Sequence, residues 1–205
     1  MLAKLSIKEF FEKTASDDPV PGGGSIAALS ATAAASLVEM VANLTIGKHA
    51  YAEVEKEMKA ISKQASLYRD KLIQDIDKDS DAFKRVVDAF KLPERSEEEI
   101  KCRKEAIENG LKHASLVPLS VAEDASKLMD LAGETVTKGY KNAVTDAVVA
   151  AVTARSAALS ALYNVKTNLS LIKDRSFVYE VSKQITHLEN EIRRKEKQVV
   201  SKADL

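Results

Sequence analysis

Ile26-Ala27-Ala28-Leu29-Ser30-Ala31-Thr32-Ala33-Ala34-Ala35-Ser36-Leu37-Val38-Glu39-Met40-Val41-Ala42-Asn43-Leu44-Thr45-Ile46 is small or apolar at almost every position. Alanine is the strongest helix former, and nothing in this run alternates as a strand does. A helix apolar on nearly every face must be buried on nearly every face. Its alanines let neighbouring helices come close, including one from a second copy of the chain. Gly47 follows where a left-handed residue would close the helix. Upstream stands Pro19-Val20-Pro21-Gly22-Gly23-Gly24-Ser25. Three glycines in a row are costly to order; the prolines lower that cost, and Ser25 reads as the N-cap. The result is bare backbone at the positive end of a helix, open to a polar or anionic ligand. A tight turn capping a buried helix accounts for the same residues. The Walker spacing and the strand-linked dinucleotide glycine pattern are both absent.

A second small-residue helix is expected over about 145–168, carrying Ala147, Ala150, Ala154, Ala157 and Ala161. The helical spacing of Met58, Ile61, Leu72, Ile76, Phe83 and Phe90 marks a charged amphipathic helix over about 52–90, stopped by Leu92-Pro93. Ser96-Glu97-Glu98-Glu99 reads as a capping box opening the next helix. Pro118 should break or kink it, with helical pattern resuming through Leu131 up to Gly133. Residues 133–144 read as a polar loop. Shorter charged helices are expected over 6–14 and about 176–201. The expected fold is an all-α helical bundle: two nearly all-apolar central helices, long amphipathic outer helices, and one domain over residues 1–205. So much small-residue surface predicts a homodimer.

Lysine and arginine number 31, as do aspartate and glutamate, so the formal net charge is zero. That balance argues against a nucleic-acid partner, and 5% aromatics without tryptophan offer few stacking platforms. Cys102 is the only cysteine, which excludes an internal disulfide and points to a reducing, cytoplasmic setting. No run holds about 18 uninterrupted apolar residues, so no membrane span is expected.

Four constellations carry chemical potential. Asn43 lies in an apolar face and needs a partner, while Lys48 and His49 beyond it suit an anion or a proton transfer. As a helix C-terminus with favourable positive charge, the same segment has an ordinary structural explanation. Asp75, Asp77, Asp79 and Asp81 form two like-charged i,i+4 pairs, which mildly destabilise a helix, so one pair is a candidate for function. A carboxylate turned into a cleft there would act as general base or stabilise a cation. Thr145 reads as an N-cap followed by first-turn Asp146. Asn164 and Asn168, one turn apart, make either a helix end or a hydrogen-bonding edge for a heterocycle. No spacing fits a metal site.

In order along the chain, Pro21 to Ser25, Val41-Ala42-Asn43-Leu44-Thr45, Gly47-Lys48, Tyr51, Asp79, Ala82-Phe83, Lys91-Leu92-Pro93, Val117-Pro118-Leu119, Thr145-Asp146, Asn164-Val165 and Asn168-Leu169 resemble the cyclodeaminase/cyclohydrolase family of one-carbon folate enzymes. The ordered set covers most of the chain. The resemblance implies an all-helical dimer binding a tetrahydrofolate derivative in a groove, with no metal or redox cofactor. Two reactions go with it. In one, N10 of 5-formiminotetrahydrofolate attacks the formimino carbon and ammonia leaves, giving 5,10-methenyltetrahydrofolate. In the other, water opens the methenyl ring to 10-formyltetrahydrofolate. The implied roles put Asp79 at the reacting centre, and Lys48 with His49 at a folate carboxylate or in proton transfer. Gly22, Gly23, Gly24 and Ser25 would shape the groove and donate hydrogen bonds. Asp146, Asn164 and Asn168 would orient the pterin, and Asn43 joins the substrate-binding set. The family often has Gly-Asn-x-Asn before Ser-Asp. Here Gly139 is followed by Tyr140, Lys141 and Asn142, and Thr145 replaces the serine, which leaves substrate choice open. Formiminofolate would have to come from a separate formiminotransferase. A non-catalytic dimerisation or folate-binding module is the competing reading; it explains the apolar helices but not the glycines, Asp79 and paired asparagines together.

Overall fold

The computed structural model describes residues 1–203, and among these it contains helices and no strands. Six α-helices follow in order: α1 (Ile7–Thr14), α2 (Gly23–Thr45), α3 (Glu55–Phe90), α4 (Glu97–Lys138), α5 (Val144–Leu169) and α6 (Arg175–Val200). Helix α2 is the centre, packed against α3, α4 and α5. Ala28, Ala31, Ala34, Ala35 and Val38 form its fully buried stripe, matched by Ala147, Ala150, Ala154, Ala158 and Ala161 on α5. Methyl groups on both sides let the two backbones approach, so stability comes from many short dispersion contacts rather than from large side chains. The two helices are antiparallel: Gly23 meets Asn164, and the Tyr140 N–H, just before α5, donates to Thr45 Oγ1 at 2.8 Å. Both are long and apolar enough to cross a membrane, with mean hydropathy 1.6 and 1.3 over their best windows, because averaging forgives scattered polar residues. Here half or nearly half of each window is buried inside the bundle. The outer face of the pair still shows Met40, Leu44, Val149 and Val152 to solvent.

Several expectations meet the structure intact. Ser96 closes a capping box with Glu99, and Gly47 sits at φ +78 just past α2. Others are corrected. Ser25 is not an N-cap: Gly22 holds that position, and Gly23 and Gly24 are already in the first turn. Pro118 does not break its helix, since α4 runs unbroken through it and through Gly133. A proline inside a helix removes one N–H and orphans the carbonyl four residues back, at a cost of about 3 kcal/mol. Here that carbonyl, on Ala114, accepts a hydrogen bond from Asn168 Nδ2 at 2.9 Å. Burial of Leu111, Leu119, Val121, Leu128 and Met129 on the same helix outweighs what remains, at roughly 1.5–3 kcal/mol per side chain.

The expected 133–144 loop shrinks accordingly. Helix α4 continues to Lys138, held there by Glu134 and Glu57, and only a 3-10 turn over Lys141–Ala143 separates it from α5. Thr145 is no cap either, because α5 opens at Val144 straight out of that turn. Residues His49–Val54 form another 3-10 turn, so α3 starts at Glu55. Phe83 and Phe90, expected in the core, are 41% and 49% exposed.

Candidate active site

A pocket of about 220 Å³ opens where the start of α2, the middle of α3 and the end of α5 meet. Asp79 enters it from α3 and sits against the first turn of α2. That turn exposes Gly23 and Gly24 N–H groups, which have no carbonyl in their own helix to bond. The approach is closer than any other residue would permit: a Cβ on Gly24 would overlap the Asp79 carboxylate. Glycine is required here by space. In effect Asp79 replaces the missing side-chain cap of α2, from a helix more than fifty residues away in sequence.

Ser25, fully buried behind the glycines, fixes the carboxylate. Its hydroxyl lies 3.0 Å from Asp79 Oδ2, 3.0 Å from the Ile76 carbonyl and 3.2 Å from Ser80 Oγ. A single proton serves these acceptors, so Ser25 donates to Asp79 when the carboxylate is charged and is free to donate to Ile76 when it is not. Burial pushes the Asp79 carboxyl above the ordinary aspartate value, and the Ser25 hydroxyl and backbone N–H pull it partly back. Among the described residues lining the pocket, Asp79 is the only charged one. Of the other acids of the run, Asp81 is exposed and two are held elsewhere. Asp75 is buried between Lys71 and Lys78, at 3.1 and 2.7 Å, and Asp77 accepts the Leu2 N–H.

The opposite wall is polar but neutral. Asn164 Nδ2 donates to the Ser160 carbonyl at 2.9 Å, leaving Oδ1 beside Gly23. Asn168 spans to Ala114, and its remaining oxygen is available as an acceptor. Phe83, one turn from Asp79 on α3, supplies an apolar rim. Sequence reasoning places Phe83 in the core because helical spacing alone does not tell a core stripe from a pocket rim. The Pro118–Ala114–Asn168 link is equally invisible there, since its partners are 54 residues apart.

Seven of the sequence-derived site residues therefore meet: Gly22, Gly23, Gly24, Ser25, Asp79, Asn164 and Asn168. The other four lie at the far end of the α2/α5 pair, about 30 Å away at 1.5 Å per residue. There Asn43 accepts from Ser62 Oγ at 2.7 Å, and Asp146 lies half-buried in the first turn of α5. His49 is exposed. The Lys48 ammonium stands 4.2 Å from the centre of the Tyr140 ring, which packs edge-on against Tyr51. Tyr140, the departure from the family pattern, thus holds Lys48 by a cation–π contact. Among the described residues no three His, Cys, Asp or Glu side chains gather where they could share a metal ion.

Residues 6–187 match the formiminotransferase-cyclodeaminase family. The chain is 38% identical over 188 residues to a methenyltetrahydrofolate cyclohydrolase of Methylorubrum extorquens, spanning 92% of this chain and 90% of that protein. It is 30% identical to the formimidoyltransferase-cyclodeaminase of Mus musculus, where 91% of this chain covers only 35% of the longer protein. Among solved structures, formiminotetrahydrofolate cyclodeaminase of Thermotoga maritima superposes with a TM-score of 0.89 at 30% identity, over 100% of this chain and 98% of that one. With the bundle, the motif order and these matches in agreement, the chain belongs to the formiminotransferase-cyclodeaminase family.

Proposed function

We propose that the chain hydrolyses 5,10-methenyltetrahydrofolate to 10-formyltetrahydrofolate in the Asp79 pocket. The observation that carries this reading is a lone carboxylate in a pocket otherwise without charge, placed against the glycine turn. The methenyl bridge is a cationic amidinium carbon. Paired with Asp79 it needs no other counter-charge, and partial burial from water strengthens the pairing. A water attacks the bridge carbon while Asp79 takes its proton. The tetrahedral adduct then loses its bond to N5, N5 recovers the proton from Asp79, and the hydroxyl proton leaves to solvent as the formyl C=O forms. A carboxyl raised above its ordinary value is better matched to both transfers than an exposed aspartate. Gly23 and Gly24 N–H groups and the free oxygens of Asn164 and Asn168 supply donors and acceptors for the pterin edge. The reaction as written requires no metal and no redox cofactor.

Cyclodeamination is the second reading, favoured by the full-length likeness to the Thermotoga maritima cyclodeaminase. The same groups would serve it: Asp79 takes the N10 proton as the C–N10 bond forms and returns it to the departing nitrogen. Formiminofolate for that reaction would be supplied by a formiminotransferase.

We take the enzyme to be a cytoplasmic homodimer. What supports the dimer is the apolar outer face of α2 and α5, with Met40, Leu44, Val149 and Val152 uncovered. A two-fold axis across the middle of α2 brings the Lys48 end of one copy beside the Gly22 end of the other. Lys48, His49, Asn43 and Asp146 would then complete the partner's pocket rather than their own.

The experiment follows the methenyltetrahydrofolate absorbance with purified protein. Loss of signal above the spontaneous rate supports cyclohydrolase, and appearance of signal from 5-formiminotetrahydrofolate supports cyclodeaminase. Reduced-folate binding with no turnover of either contradicts both and leaves a non-catalytic binding module.

A further inference from the structure

The helix faces that build the pocket do not end with it. On α3, Phe90 lies about three turns beyond Asp79 and on the same face, with Phe83 between them. On α4, Lys104, Ile107 and Leu111 continue the stripe that brings Ala114 to the pocket. After α5, Leu171 and Lys173 follow Asn168. The guanidinium of Arg103 clamps the Phe90 carbonyl, at 3.3 Å from Nε and 3.0 Å from Nη2, and so holds the two helix ends together. The result is a second cavity, a groove of about 570 Å³, farther along the same helix faces.

Its walls are apolar and uncovered, with Phe90 49% and Leu171 57% exposed. Its rim is charged in a particular way. The neighbouring cations Lys91, Arg103 and Lys112 are each paired, to Asp88, Glu94 and Asp174. Lys104 and Lys173 have no ion-pair partner among the described residues, although both line the groove. Of the two acids there, Glu108 accepts the Lys173 and Asp174 backbone N–H groups, at 3.0 and 2.8 Å, which fixes the segment carrying Lys173. Glu105 is the other carboxylate on the groove wall.

We propose that this groove receives the aminobenzoyl-glutamate half of the folate, its ring against Phe90 and Leu171 and its carboxylates at Lys104 and Lys173. The proposal rests on the folate reading of the Asp79 pocket. An aromatic ring followed by two carboxylates is what an apolar groove ending in two unpaired ammonium groups would select. The lengths agree. From Asp79 to Phe90 is about 16 Å along the α3 axis. At ordinary bond lengths the aminobenzoyl-glutamate arm extends roughly 12 Å from the bridge nitrogen, and flexible lysine side chains reach inward over the rest. Glu105 beside Lys104 opposes the carboxylates, so charge changes at the two positions should act in opposite directions.

The test measures steady-state turnover of the folate that the wild-type chain converts, and inhibition by p-aminobenzoyl-glutamate alone. In the double variant Lys104→Glu, Lys173→Glu, KM should rise about tenfold with kcat within about twofold, the sum of two partly exposed ion pairs reversed in sign. Glu105→Lys should lower KM about threefold, and Phe90→Ala should raise it about fivefold. The fragment should inhibit the wild type competitively and the double variant about tenfold less well. If KM is unmoved by both charge changes while the wild type turns over, the groove proposal is wrong and the Asp79 reading stands. The groove proposal fails equally if the charge changes act on self-association instead of KM. A wild-type chain that neither converts nor binds either folate overturns the folate reading and the groove with it.

Discussion

The α2/α5 pair ends in two regions built on opposite principles. At the Gly22 end nothing projects. Two glycines and the first turn of a helix admit a carboxylate so closely that a methyl group would not fit, and burial raises its proton affinity. At the Lys48 end everything projects: Tyr51 and Tyr140 stack edge-on, Lys48 lies over a ring, and His49 is exposed. Removing side chains creates a desolvated site with one reactive group. Adding long ones creates a patch whose side chains rest on one another, about 30 Å from Asp79. The proposed function places chemistry at the first end and contact with a partner's pocket at the second.

The largest effect should come from the carboxylate. Asp79→Asn is expected to lower kcat by roughly 10²- to 10⁴-fold, as for loss of a general base. Its melting temperature should hold or rise, because a carboxyl with raised proton affinity does not favour folding while charged. Gly24→Ala should cost about 10²-fold in kcat/KM by displacing Asp79 without removing it. Loss of activity in Asp79→Asn but not in Gly24→Ala would show that the close approach is incidental.

The far end is tested by mixing subunits. Lys48→Ala alone should lose at least about tenfold in kcat/KM, in line with a charge-assisted contact. Mixed and re-annealed with Asp79→Asn, it should recover about a quarter of wild-type activity, since half the dimers then hold one intact site of two. No recovery would confine Lys48 to its own chain's surface, about 30 Å from the chemistry.

Stability and activity should respond to pH in opposite senses. The Asp79 carboxyl is raised in the folded state, so its contribution to stability is complete below the unfolded value and is lost as pH rises through the folded one. A general base gains activity over that same interval. Thermal melts of the wild type and Asp79→Asn across the acidic range should therefore converge toward low pH.

The smallest effect concerns the proline. Asn168→Leu should destabilise by about 1–3 kcal/mol by orphaning the Ala114 carbonyl. In a Pro118→Ala background the helix regains its own N–H, and the same change should cost clearly less. An additive result would mean that Asn168 is not the partner that Pro118 requires.

Much of this was legible in the residues. Alanine at nearly every inward position of 26–46 and of 145–161 left two buried helices as the natural solution. Pairing Gly24 with Asp79 was harder. The motif order suggested both, but only packing shows that one is small because the other is there. What sequence hid were compensations made at a distance. Pro118 looks like a helix breaker until Asn168 is found on the carbonyl it frees. Ser25 looks like a cap until Asp79 is seen in that role, reaching over from another helix. Phe83 and Phe90 obey helical spacing and still face solvent, because the groove borrows the geometry of a core stripe.

The pH dependence of kcat/KM for ring opening, compared between the wild type and Ser25→Ala, bears most directly on the role of Asp79. The free enzyme should gain activity through one ionisation above the ordinary aspartate value. Removing the Ser25 hydroxyl, which favours the charged form, should move that ionisation higher. An inflection that stays where it was in Ser25→Ala would mean that the group controlling the reaction is not Asp79.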